Sequence, residues 1–191
     1  MDKTALFIDG SNFYAAAKGL NLDIDFARMR AYFAKDTNLI RAYYYTAIPE
    51  DQEFSSLRPL VDWLDYNGYA VVSKLTREFI DEETGKRRLK GNMDMELALD
   101  MLKLAPHIDH AVLFSGDGDF CRLLEDIQAL GVRTTVVSTN KTTPPMVADQ
   151  LRRMADIYID MVDIAPDISK SNSKTSSKPT SKPSVKATND A

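Results

Sequence analysis

Short apolar runs punctuate this chain at regular intervals, each separated from the next by a stretch with helical spacing. TALFID (4–9), IRAYYYTAI (40–48), YAVVSKL (69–75), HAVLFS (110–115) and VRTTVVST (132–139) have the length of strands and are rich in β-branched and aromatic residues. An apolar run without alternation suits a strand buried on both faces, the mark of a parallel sheet. The stretches between them are long enough for crossover helices: GSNFYAAAKGL, then about 25–35, 53–66, 94–104, 119–130 and 145–155. The pattern predicts a Rossmann-like α/β fold. Its mostly parallel sheet has about five to six strands, with helices on both faces in three α/β/α layers. IYIDMV supplies a last short strand. Ser11 or Asn12 is expected to cap the first helix, Gly19 to end it, and Gly131 to close the helix at 119–130.

Two segments break this rhythm. TREFIDEETGKRRLKGN (76–92) is charged, and DEETGKR reads as a hairpin turn or a mobile loop. After Ile168 the composition collapses to Ser, Thr, Lys, Pro and Asn. Such a tail buries too little apolar surface to offset its ordering entropy. The division is therefore one folded domain, 1–168, and a disordered tail, 169–191. From Ser169 onward five Lys accompany one Asp, so the body is near −8 although the whole chain carries −4. A body this acidic needs a local basic patch or divalent cations to meet nucleic acid. The single cysteine, Cys121, excludes an intramolecular disulfide and a Cys-based zinc site, and core packing accounts for it. The apolar run at the N-terminus is too short for a signal or a membrane span, so a cytoplasmic protein with no membrane partner is expected.

The chemistry concentrates in acidic residues at strand ends. In open parallel sheets, ligands bind beyond the carboxyl ends of the strands. FIDGSN places Asp9 there, and FSGDGDF places Asp117, with Asp119 two residues on. A third segment, KGNMDMELALDMLKLA, opens a helix with Asp94. On a wheel of about 100° per residue, Leu97, Ala98 and Met101 lie near Asp94, with Met95 and Leu102 further round the same arc. Glu96, Asp100 and Lys103 fall opposite, on a solvated face. An Asp on an inward arc must cap, pair or bind a metal, and capping remains open for Asp94 alone. Carboxylates gathered about 4 Å apart repel by several kcal/mol at an effective dielectric near 20. Hard cations such as Mg²⁺ or Mn²⁺ relieve that repulsion through oxygen ligands.

FIDGSN, KGNMD and FSGDGDF, in this order over roughly residues 3–163, resemble the signatures of the NYN domain in its LabA-like branch. That domain is related to PIN-type and flap-endonuclease-like folds. The resemblance implies a Mg²⁺- or Mn²⁺-dependent ribonuclease, endonucleolytic in mode, with Asp9, Asp94, Asp117 and Asp119 as metal-site carboxylates. Asp9 and Asp117 would be direct ligands, and Asp94 and Asp119 ligands directly or through water. Asn12 and Ser115 match the polar residues beside these motifs and would orient water or a phosphate oxygen; helix capping and turn bonding are their alternatives. Gly10, Gly116 and Gly118 allow tight turns. Asp100 also matches a recurrent family position, against the wheel, and stands as a second-tier candidate.

The basic residues Lys74, Arg77, Lys86, Arg87, Arg88 and Lys90 run up to the Asp94 helix, with Lys90 and Arg88 as candidate phosphate contacts. Tyr43, Tyr44 and Tyr45 could stack on bases, though a strand core and strand face explain them more cheaply. His107 and His110 show no catalytic pattern. No phosphate-binding G-x-x-x-x-G-K-[ST] loop or G-x-G-x-x-G turn is present. Haloacid-dehalogenase-type phosphatases also place Asp after the first strand, but they use D-x-D-x-T where this chain has DGSNF. The remaining rival is a regulatory module on the same fold that holds RNA or a protein partner without useful turnover. Expected partners are RNA, single-stranded or structured, with a homodimer left open.

Overall fold

The computed structural model describes residues 1–49, 57–76, 78–80, 87–89 and 92–170. The chain begins with β1 (Lys3–Asp9), buried from Thr4 onward, as its unbroken apolar run requires. α1 (Gly10–Gly19) and α2 (Phe26–Ala34) lead to β2 (Asn38–Pro49), and α3 (Arg58–Tyr66) to β3 (Ala70–Thr76). Two short strands, β4 (Glu78–Ile80) and β5 (Arg87–Leu89), pair antiparallel. Then come α4 (Asp94–Leu104), β6 (His110–Phe114), α5 (Cys121–Ala129), β7 (Arg133–Ser138), α6 (Asp149–Met154), β8 (Ile157–Asp160) and α7 (Met161–Ile168).

Six strands form one parallel sheet in the order β3-β2-β1-β6-β7-β8. β1 therefore lies between β2 and β6, and its residues alternate between two cores. Ala5 and Phe7 pack with Leu97 and Met101 of α4, Leu124 and Ile127 of α5, and Leu151 of α6. Leu6 and Ile8 pack with Phe13 of α1, Met29 of α2, Leu64 of α3 and Ile164 of α7. The three-layer expectation holds, and the crossover from the β2 side to β6 sets the ends of β1 and β6 side by side.

Several boundaries differ from expectation for local physical reasons. Asp9, not Ser11 or Asn12, caps α1: its side chain accepts from the Asn12 backbone N–H. Gly19 does end α1, with the left-handed residue, Asn21 at φ 54°, two positions on; Gly131 closes α5, at φ 82°. The helix expected over 53–66 is seen from Arg58, and 50–56 lie outside the described residues. The charged segment supplies the β4–β5 hairpin, whose connecting residues 81–86 are likewise outside them. The helix expected from 145 begins only at Asp149, because the Met146 and Val147 amides donate to the Thr139 carbonyl and hold that stretch in a loop. α7 is unforeseen: Asp160 ends β8 and accepts from the Val162 N–H, starting a helix where the sequence suggested a continuing strand. Of the tail expected over 169–191, Ser169 bridges to Ile24 and Lys170 bonds and pairs with Asp23, so these two belong to the folded body, and 171–191 lie outside the described residues. Among the described residues no helix is long and apolar enough to cross a membrane.

Candidate metal centre

β1 delivers Asp9 to the carboxyl edge of the sheet with 8% of its surface exposed. Its carboxylate receives three hydrogen bonds. Oδ1 accepts from Ser11 Oγ (2.9 Å) and the Asn12 N–H (3.2 Å), and Oδ2 accepts from Ser115 Oγ (3.1 Å). Ser115 follows β6, is buried, and its Oγ also accepts from the Asp117 N–H at 3.2 Å. Asn12 Oδ1 accepts from the Gly116 N–H at 2.9 Å. The two acidic strand ends are thus tied together by polar side chains from each.

Gly116 is required by packing. A Cβ there would collide with the Met146 carbonyl oxygen and stand 2.7 Å from Ser138 Oγ. The loop then turns through a 3₁₀ segment, Gly118–Phe120, which Asp117 caps: its Oδ1 accepts from the Asp119 N–H at 3.0 Å. Asp117 is half-buried and Asp119 exposed.

Asp94 occupies the first turn of α4, and Asn92 Nδ2 donates to its Oδ2 at 2.6 Å. It does not cap that helix; Met93 stands at the cap position without a side-chain bond. Its carboxyl is pushed up to about 6, first by burial and then by the charges of Asp9, Asp117, Asp119 and, least, Glu96. Carboxylates from three separate parts of the chain therefore share one electrostatic environment. They repel one another and favour uptake of positive charge. Among the described residues, no three acidic, imidazole or thiol groups are already arranged to hold one metal ion. The structure shows convergence of charge rather than a finished coordination shell. The donor set itself, oxygen only, suits Mg²⁺ or Mn²⁺ and not a soft ion.

Other candidates fall elsewhere. Asp100 is not among the charges that act on Asp94; it accepts from Tyr45 Oη (3.4 Å) and pairs with Lys103 at 3.6 Å. The wheel's solvated face is thus partly covered by the sheet, and its apolar arc is narrower than drawn, since Met95 and Leu102 are exposed while Leu97 and Met101 are buried. Lys74 is engaged with Glu96 at 3.0 Å. Arg77, Lys86 and Lys90 lie outside the described residues, and Arg87 and Arg88 are described only as β5 backbone. Tyr44 and Tyr45 are buried, and Tyr43 stacks on Phe7 at 5.5 Å, so core packing claims all three rings. His110 bonds Thr135 Oγ1 at 2.7 Å, and burial, then Arg133, lowers its proton affinity. The Cys121 thiol is pushed up by burial and by Asp117 and Asp119, which suits a packing role and not a nucleophile.

Sequence reasoning missed Ser11 and Asn92, which bond Asp9 and Asp94 directly. The signal was available: both are polar residues two positions from the Asp they contact, where local side-chain bonding is common. It also missed Tyr44 as a neighbour of the site. Its Oη comes 2.8 Å from where a Cβ on Gly10 would stand, and burial and Asp9 push its phenol up to about 12.

Comparison with known proteins agrees with this geometry. The family model for the NYN domain matches residues 3–165. The chain is 39% identical over 165 residues to the low amplitude and bright protein LabA of Synechococcus elongatus, covering 85% of each sequence. A crystal structure of a Vibrio parahaemolyticus protein of unknown function shares the fold, with a TM-score of 0.70, 24% identity, and coverage of 88% of this chain and 96% of that one. The strand order, the converging acidic motifs and these matches agree: the chain belongs to the NYN domain family, in its LabA-like branch, on a PIN-like nuclease-type fold.

Proposed function

We propose that this protein is a metal-dependent ribonuclease, endonucleolytic in mode, acting in the cytoplasm. The observation that carries the reading is the convergence of Asp9, Asp94, Asp117 and Asp119: burial first, and then the charges of the other three, push the Asp94 carboxyl up to about 6. A module built only to bind RNA gains nothing from placing repelling carboxylates where phosphate must approach. Mg²⁺ or Mn²⁺ held by these four would offset the repulsion and supply the Lewis acidity that phosphodiester hydrolysis needs.

The chain's own residues do the rest. Asp9 is held rigidly by its three donors, so it presents a fixed ligand. Asp117 is anchored through its amide to Ser115 and through its carboxylate to the Asp119 N–H. Asn12 and Ser115 bond the chain itself, so their part is to lock the two strand ends in register. Asp94, pushed up by burial and then by its neighbours' charges, would gain from a cation. Lys90 and Arg88 are the proposed phosphate contacts, and Asp100 acts at most through Tyr45.

The test is cleavage of mixed RNAs with Mn²⁺ by the wild type, Asp9→Asn and Asp117→Asn. Loss of at least about 100-fold in both variants is expected for a removed ligand. Equal cleavage by all three proteins sinks the assignment, and no cleavage by the wild type leaves the regulatory-module reading in its place.

A further inference from the structure

Between α1 and α3, on the sheet face opposite α4, lies a cavity of about 750 Å³ walled by Phe13, Tyr14, Phe26, Tyr44, Leu60 and Trp63. Its size is that of a small-ligand site. Phe13, Phe26 and Tyr44 form an aromatic floor, packed edge to face with centroids 6.2 and 5.8 Å apart. Tyr14 and Trp63 border it from separate helices and are 63% and 38% exposed. A lone exposed aromatic needs no explanation. Two of them bordering one aromatic-floored cavity describe a place for a flat, π-bearing ligand.

Tyr44 links the cavity to the carboxylates. The residue lines the cavity with 3% of its surface exposed, and its hydroxyl can donate to the edge of a seated ligand. Gly10, which has no side chain to fend it off, lets that hydroxyl come close beside Asp9. Phe13 and Tyr14 follow Asp9 by a little over one helical turn, roughly 6–8 Å along the axis. That is a distance one nucleotide spans from phosphate to base. Lys18 also lines the cavity and has no ion-pair partner among the described residues, leaving a cation for a neighbouring phosphate.

We propose that this cavity is a nucleobase site, in which Tyr14 and Trp63 flank a base of the RNA strand whose phosphodiester lies at Asp9. The substrate class rests on the ribonuclease reading, but base binding needs no turnover, and without metal the carboxylates' repulsion of phosphate weakens an intact and an abasic strand alike. Because every base offers a π-face, the site adds affinity with little sequence preference. It also orients the strand, since a base seated here fixes which phosphate reaches the carboxylates.

Trp63 is the chain's single tryptophan and so reports on its own site. The experiment titrates a single-stranded oligoribonucleotide into the full chain in EDTA, reading Trp63 emission, beside an abasic strand of equal length. Saturable quenching is expected, with the abasic strand binding at least about tenfold more weakly. Tyr14→Ala should weaken RNA binding by about five- to tenfold while leaving the urea midpoint unmoved, since that side chain is mostly exposed. Equal binding of abasic and intact strands overturns the proposal. So does RNA binding without quenching, or emission that shifts with protein concentration, which would mean that a second copy fills the cavity. Cleavage without quenching defeats this proposal alone; quenching without cleavage defeats only the nuclease reading.

Discussion

Replacing Gly116 by Ala is the sharpest test of how the acidic loop is held. The new Cβ would collide with the Met146 carbonyl oxygen and lie 2.7 Å from both the Met146 carbonyl carbon and Ser138 Oγ. Backbone cannot swing aside as a flexible side chain can, and Gly116 is pinned from both directions. Its N–H donates to Asn12 Oδ1 at 2.9 Å, and its carbonyl accepts from the Ala148 N–H at 2.8 Å. Relief therefore means moving the 139–148 loop or breaking one of those bonds. Overpacking costs about 1–3 kcal/mol, and a lost buried hydrogen bond about 1 more. The expected destabilisation is ~3 kcal/mol, a large fraction of the ~5–15 kcal/mol available to a domain but not all of it.

Two other glycines calibrate the result. At Gly118 a Cβ would meet only Ala148 Cβ, at 3.3 Å, so Gly118→Ala should cost under ~1 kcal/mol. At Gly131 nothing lies within 4 Å, but φ is +82°, so Gly131→Ala should cost ~1–2 kcal/mol through backbone strain alone. Urea denaturation in EDTA, followed by Trp63 emission, should rank them Gly116, Gly131, Gly118. A Gly116→Ala protein as stable as Gly118→Ala would refute the claim that the loop closes on Gly116 with no room to spare.

Three further outcomes follow from the same contacts. Because the Asp94 carboxyl is raised to about 6, its favourable contribution is complete below the ordinary carboxylate range and is lost as pH rises through 6. Asp94→Asn should therefore match the wild type near pH 4 and exceed it by ~1 kcal/mol at pH 8 in EDTA, a shift of about two units discounted for solvent screening and for the lost Asn92 bond; a less stable variant at pH 8 would deny the repulsion. Burial pushes Asp160 up, but the Asn140 and Val162 amides and the Thr139 and Tyr158 hydroxyls outweigh it and hold its carboxyl low. Asp160→Ala should cost ~3 kcal/mol at neutral pH by urea denaturation, and the gap should narrow as pH falls through that lowered value. Leu124→Ala, in the fully buried α5 seam, should cost about 2–5 kcal/mol by the same measurement and leave RNA binding unchanged.

What could be read in the sequence, and what could not, divides along a physical line. β1 and β6 were legible because burial on both faces demands unbroken apolar runs, and that demand is local. The nearness of Asp9 and Asp117 was legible because Asp9 ends such a run, Asp117 follows one by three residues, and parallel strands in one sheet present their carboxyl ends together. α7 was illegible because its Pro166 reads as a breaker, whereas the cap supplied by Asp160 and the burial of Ile164 and Ile168 carry the helix through it. The wheel misplaced Met95 and Leu102 because it assigns faces without knowing what covers them; here the sheet side of α4 receives Glu96 and Asp100 through Lys74 and Tyr45. Asn12 and Ser115 show the same limit within the site. Their partners, Gly116 and Asp9, stand 104 and 106 residues away, so side-chain chemistry alone could not separate a group that faces substrate from one that fastens two strands. Under the proposed metal-dependent reading, carboxylates crossbraced by neutral polar side chains would keep their positions while their charges repel, and so could release and rebind a cation without unfolding. Ser115→Ala removes the brace but no charge: it should weaken Mn²⁺ binding by about tenfold while leaving the field on Asp94 in place. Unchanged Mn²⁺ affinity in that variant would show that the carboxylates hold their positions without it.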